Sequence, residues 1–181
     1  MGRPADLPPL AEEDHVCAEC DLSYAELTID EALDKVRRLP GAVHAAALGV
    51  PPELRVRRPE PRTWSVVEYA CHIRDVYAAY TVRLYRTRTE ERPAVEPLLP
   101  DRRVEWFRYN SLDLTAVLHE IESNVDGFVD EVGQATDWDR VATRLPHEVR
   151  TARWLVRQAT HEGIHHVHDI TAVGRAVQAT G

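Results

Sequence analysis

Between His161 and His168 the sequence reads HEGIHHVH, which places four of the chain's nine histidines within two turns of a helix. Imidazoles spaced with carboxylates can bind a divalent metal, and two registers compete here. His161-Glu162-Gly163-Ile164-His165 matches HExxH, in which two histidines one turn apart hold zinc and the glutamate acts as general base, the pattern of a metal-dependent hydrolase. One residue on, Glu162 and His166 are also four apart and could hold a metal through one carboxylate and one imidazole. Helical phase chooses between them. Leu155, Val156, Ala159, Gly163, Val167, Ile170 and Val173 define an apolar face. At about 100° per residue, His161, His165 and His168 lie roughly 145–175° from its centre, against about 45° for His166 and about 85° for Glu162. Leu155, Ala159, Glu162, His166, Asp169 and Val173 then form one inward seam, and a site inside a bundle needs inward ligands. The Glu162/His166 register is therefore preferred. A Glu and a His on a core seam are costly unless neutralised or coordinated. A hydrogen-bonded pair kept for specificity is the rival to metal.

A third ligand has to come from another helix. His72 is the best candidate, flanking the apolar stripe of its own helix by about 95°. Each of these histidines has a carboxylate three residues later, His72 with Asp75 and His166 with Asp169. Metal-bound imidazoles commonly donate their other N–H to such a partner, although surface i, i+3 pairing has the same spacing.

A second cluster opens the chain, His15-Val16-Cys17-Ala18-Glu19-Cys20-Asp21. A structural zinc site wants four ligands, and there is no second CxxC. His15, or a residue from elsewhere, could complete an accessory zinc site with Cys17 and Cys20. A redox dithiol is a second reading, without the thioredoxin-like unit that normally carries it, and incidental thiols are the third. Cys71 points away from its helix's stripe and reads as a packing residue. Trp106 and Trp154 read as core more readily than as pocket.

The elements that must position these residues are helical. Thr28-Ile29-Asp30-Glu31 is a capping box, and the apolar spacing behind it crosses Pro40, so one kinked helix or two short ones are expected. A Pro-rich crossover fills 51–63. Ser65 and Glu68 form a second capping box, with Trp64 able to staple onto Tyr69. Tyr69, Ile73, Val76, Tyr77, Tyr80 and Leu84 make the stripe that follows. WFRYN (106–110) reads as a turn across the bundle. A third helix starts near Ser111 and ends at Gly133, and the last runs from Thr151 to about Arg175. With strand signals nearly absent, the fold class is all-α, a four-helix bundle with long crossover loops at 28–181, preceded by an N-terminal arm at 1–27 whose first fourteen residues are expected to be loose.

Composition narrows the function. The 181 residues carry 22 basic and 30 acidic side chains, a net charge of −8, which argues against nucleic acid as a partner. No apolar run is long enough to span a membrane, and no secretory signal opens the chain, so a cytoplasmic protein is expected. One lysine against 21 arginines suggests a GC-rich, actinobacterial genome.

Trp64-Ser65…Glu68…His72…Asp75 and Glu162-x-x-x-His166-x-x-Asp169-Ile170 resemble the DinB-like superfamily, over roughly residues 28–176. The closer likeness is to its thiol-dependent branch, which includes mycothiol-dependent maleylpyruvate isomerase and the mycothiol and bacillithiol S-transferases. The resemblance implies a DinB-type bundle holding a divalent metal, zinc first and nickel or iron next, on His72, Glu162 and His166, with a homodimer by analogy. It further implies a low-molecular-weight thiol such as mycothiol as co-substrate, activated for S-transfer to, or isomerisation of, a small electrophile. Arg74 or Arg83 would hold carboxylates at the pocket mouth. A non-catalytic bundle binding metal or a small ligand is the alternative, and a HExxH hydrolase comes third. The isomerase's additional C-terminal domain has no counterpart here, so its substrate is not carried over.

Overall fold

Both capping boxes form and start the helices expected of them. Thr28 accepts from the Glu31 N–H and Glu31 reaches back to the Thr28 N–H, opening α1 (Ile29–Leu48). Ser65 and Glu68 do the same for α2 (Val66–Thr89). The computed structural model describes Leu7, residues 9–145 and residues 147–180. Pro40 lies inside α1 without dividing it. After α2 come the short α3 (Pro100–Trp106), which takes up the first residue of WFRYN, and α4 (Leu114–Gln134). Asp113 caps α4 in place of the expected Ser111, and the helix runs one residue past Gly133. A small hairpin, β1 (Val141–Thr143) and β2 (Val149–Thr151), leads into α5 (Ala152–Ala179), capped by Thr151.

The four long helices form a ring in the order α1, α5, α2, α4, leaving α1 and α2 on a diagonal. Tyr77, Ile73, Phe128, Ile121, Ile170 and Trp154 fill the interior, and the Tyr77 hydroxyl donates to the Ala159 carbonyl at 3.0 Å, tying α2 to α5. The helices pack closely at Gly163, where a Cβ would lie 2.6 Å from a Leu39 methyl and 2.7 Å from the Tyr77 hydroxyl. None of the described helices is long and apolar enough to cross a membrane.

The N-terminal arm departs from expectation. Residues 1–6 and 8 lie outside the described residues, but the rest is docked rather than loose. Leu7, Leu22, Tyr24 and Leu27 are buried. Arg150 donates to the Leu10 and Ala11 carbonyls, and Glu13 accepts from the Thr151 N–H and hydroxyl at 2.9 Å each. A bridge between Val16 and Ser23 folds the intervening residues into a tight loop against α5.

Candidate metal centre

α2 and α5 bring His72, Glu162 and His166 together. One Glu162 oxygen lies 3.2 Å from His72 Nε2 and 3.1 Å from His166 Nε2. Donors about 2.0–2.1 Å from a tetrahedral zinc stand roughly 3.3 Å apart, so spacing and donor set both fit a divalent cation. Gly163, on the same turn as Glu162, lets α5 settle close to Tyr77 of α2. The His166 ring is flanked by those of His72 and Tyr69, at 4.8 and 5.3 Å, and Trp64 packs edge-on against His72 at 5.2 Å. Trp64 also touches Tyr69, the staple expected from the sequence.

The electrostatics follow from burial and pairing. Burial pushes the Glu162 carboxyl up, but hydrogen bonds from His166 and His72 overrule it and hold it well below the usual carboxylate range. Burial pulls His166 down, yet its bonds to Asp169 and Glu162 raise it to about 9. His72, where burial outweighs Glu162, is lowered. His166 thus presents both ring nitrogens to carboxylate oxygens, Nε2 to Glu162 and Nδ1 to Asp169.

Of the two supporting carboxylates expected, one stands where the spacing put it. Asp169 meets His166 Nδ1 at 2.7 Å. Asp75 does not serve His72. It accepts from Arg103 at 2.6 Å, from Arg74 at 2.9 Å and from the Tyr109 hydroxyl, because these longer side chains reach it first. Burial tends to raise the Asp75 carboxyl, and these donors leave it lowered. Asp75 thus pins α3 to α2.

The three donors open onto a cavity of about 250 Å³. Its walls are apolar, with Val76 and Tyr80 from α2, Leu98, Leu99 and Pro100 from the α3 entry, and Leu7, Pro9, Leu10 and Ala11 from the arm. Arg83 and Arg144 also line it, Arg83 donating to the Glu96 carbonyl and Arg144 paired with Glu148 at 2.7 Å, and Arg74 is paired with Asp75 and Glu120. Among the described lining residues Glu162 is the one carboxylate. The arm and Trp64 were not anticipated as cavity walls, although Pro9, Leu10 and Trp64 are the kind of residues that make one. Trp154 is core and Trp106 is exposed, so neither lines the site.

His161 and His165 do not point to solvent as helical phase suggested. The folded-back arm covers that side of α5. Cys17 Sγ lies 3.6 Å from His165 Nδ1, and donor atoms of Cys17, Cys20, His161 and His165 all fall within 4.8 Å of one another. His15 is not one of them. It packs its ring against Tyr24 and His161, at 5.3 and 5.4 Å. Cys71 does not point away but lies fully inside the core, where burial raises its thiol to about 12. A hydrogen-bonded chain joins the two groups: the Tyr24 hydroxyl contacts His161 Nδ1 at 2.9 Å and donates to Gln158 at 2.6 Å, and the Gln158 amide donates to Glu162 at 2.6 Å.

Residues 32–170 match the sequence profile of the family described as the DinB superfamily. No curated protein sequence matches the chain. Among solved structures, YfiT from Bacillus subtilis, described as a probable metal-dependent hydrolase with an unusual four-helix bundle topology, aligns with a TM-score of 0.75. The two share 17% identity over 92% of this chain and 93% of that one. The bundle architecture is therefore common to both.

Proposed function

The chain belongs to the DinB superfamily, and from that premise we propose that it is a metal-dependent enzyme that uses a low-molecular-weight thiol for S-transfer to, or isomerisation of, a small electrophile. The observation that carries this reading is the convergence of His72, Glu162 and His166 at one point on the wall of an apolar cavity. Three protein donors of this kind would hold zinc, with nickel or iron as other candidates, and leave room for an exogenous ligand. When bound, the ion supplies the positive charge that keeps a thiol ionised, and therefore nucleophilic, at neutral pH.

The chain's own residues supply the rest. Asp169 fixes the tautomer and orientation of His166 by accepting from its Nδ1. Gln158 holds one Glu162 oxygen, so the other is left to face both imidazoles. Leu98, Leu99 and the arm exclude water from the reacting carbon, and Arg83, whose guanidinium donates to the neutral Glu96 carbonyl, offers positive charge to a carboxylate of substrate or thiol. A thiol already ionised needs no separate base, in keeping with a cavity wall whose one described carboxylate is a ligand.

Hydrolysis by an activated water is the second reading, favoured by the description of YfiT. An assay separates the two. Zinc-loaded protein should consume a small thiol in the presence of an epoxide, or convert a cis-alkene diacid to its trans isomer only when thiol is added. Cleavage of ester or amide substrates without thiol, and no thiol-dependent turnover, would overturn the thiol reading in favour of hydrolysis.

A further inference from the structure

We infer that Cys17, Cys20, His161 and His165 form a second, four-ligand metal site, most suited to zinc, which clips the N-terminal arm to α5 and thereby builds one wall of the cavity. The donor set is the closed Cys2His2 kind, and it is assembled across a long stretch of sequence: Cys17 and His165 are 148 residues apart. Zinc–sulfur and zinc–nitrogen bonds of about 2.3 and 2.0–2.1 Å in a tetrahedron put sulfur and nitrogen roughly 3.5 Å apart. The 3.6 Å between Cys17 Sγ and His165 Nδ1 agrees with that spacing.

Independent features point to a ligand at this place. His161 Nε2 is buried without a hydrogen-bond partner, whereas its other nitrogen is engaged by Tyr24. Because the Tyr24 hydroxyl spends its own proton on Gln158, its oxygen is left to accept from His161 Nδ1–H, and that leaves a lone pair on Nε2. An orphaned nitrogen of this kind is costly inside a protein unless something binds it. His165 is oriented in the complementary way: Nδ1 faces Cys17, while Nε2 looks toward Glu19 and Asp169 at 3.5 and 3.7 Å. Both imidazoles thus keep a supporting partner on the nitrogen that a metal would not use.

The cysteine loop is shaped for the same task. The Cys17 N–H donates to the Leu22 carbonyl at 3.0 Å, closing the loop, and Asp21 turns the chain in the left-handed region at φ 55°. The Leu22 N–H is directed at the Cys20 sulfur, and burial nonetheless leaves that thiol raised to about 11. The two cysteines are free thiols rather than a disulfide. Metal binding would release both thiol protons to solvent and leave two sulfurs and two neutral imidazoles around the ion. Four protein ligands leave no coordination position for substrate, so the role is structural. The clip holds Cys17 and Cys20 a few residues beyond Leu7, Pro9, Leu10 and Ala11, the arm's contribution to the cavity.

Cobalt substitution of the full chain tests this directly, because a thiolate-to-cobalt charge-transfer absorption arises at a cysteine site and not at a His/Glu site. The wild type should show that absorption and bind one more metal per chain than Cys17→Ser/Cys20→Ser, in which the absorption is lost. It should also be lost from His161→Ala/His165→Ala and persist in His72→Ala/His166→Ala. Thiol labelling of the wild type decides the matter even if a variant fails to fold: Cys17 and Cys20 should react after chelation and be protected in the metal-loaded protein, with Cys71 unreactive in both. Absence of the charge-transfer band from the wild type, its persistence in the cysteine variant, or equal labelling with and without metal would overturn the inference. An unchanged metal count in His72→Ala/His166→Ala would overturn the cavity reading alone.

Discussion

α5 carries two donor pairs interleaved on one stretch, His161/His165 and Glu162/His166, and the surroundings of each pair make them opposites. Glu162 and His166 face α2, meet one further donor and open onto the apolar cavity. His161 and His165 face the arm, meet two cysteines and lie away from that cavity. Three donors beside a void suit chemistry, and four donors under a covering loop suit a clip. A helix turns its side chains by only about 100° per residue, so neighbouring positions can serve different partners. What decides the role of each histidine is the element packed against it, not the histidine-rich motif to which it belongs.

The largest effect should come from removing a cavity donor. His166→Ala or His72→Ala should lower thiol-dependent turnover on the order of 10³-fold, since the ion's charge stabilisation is worth several kcal/mol. Steady-state kinetics at matched total metal would measure it. The thiolate–cobalt signature of the arm group should be unaffected. If activity followed that signature instead, the roles assigned to the two groups would be reversed.

The cavity's other wall sharpens the contrast, because α3 is held by an ion pair rather than by cysteines. Asp75→Asn should cost on the order of 3 kcal/mol, the scale of breaking a buried charge pair. The sign of its pH dependence follows from a folded pKa lowered below the unfolded value of about 3.9. The contribution is fully present above that value and lost as pH falls through the folded pKa. Urea unfolding should therefore show a difference between wild type and variant that is constant near neutrality and shrinks below about pH 4. A difference that grew on acidification would contradict the Asp75–Arg103 assignment.

Asp169 is a carboxylate within reach of both groups, at 2.7 Å from His166 and 3.7 Å from His165. Asp169→Asn should weaken metal binding at the cavity about 10–100-fold, the usual effect of losing such a partner, and the arm group much less. Competition with a chromophoric chelator would resolve the two. Equal weakening would mean that Asp169 supports them as one unit.

Local signals carried much of this structure. Thr28/Glu31 and Ser65/Glu68 mark helix starts because a capping box is satisfied within four residues. The Glu162/His166 register could be read because burial of a stripe fixes rotational phase. Non-local information was missing where expectation failed. Helical phase treats every position off the core stripe as solvent-facing, and His161 and His165 are covered by a loop some 140 residues away that no periodicity announces. The CxxC has its two further candidate donors, His161 and His165, on α5, which local spacing could leave only as a residue from elsewhere. Asp75 had the right spacing for His72, but Arg103 and Tyr109 competed for it from across the fold.

The smallest effect tests whether the two faces of α5 are mechanically separate. Gly163 follows Glu162 directly, and its missing Cβ lets Leu39 and Tyr77 close on the helix. Gly163→Ala gains up to about 1 kcal/mol of helix propensity and loses about 1–3 kcal/mol through overpacking, so a net destabilisation of about 1 kcal/mol is expected by urea unfolding. The methyl group would push α5 from α2, drawing Glu162 and His166 away from His72. The arm is attached to α5 and to the β2 strand that leads into it, through the histidines, Thr151 and Arg150, and would travel with them. Metal affinity at the cavity should therefore fall while the thiolate–cobalt signature stays at wild-type strength. If the signature weakened in step with the cavity, the arm would have to be anchored to the rest of the bundle rather than to α5, and the two groups would form one coupled centre.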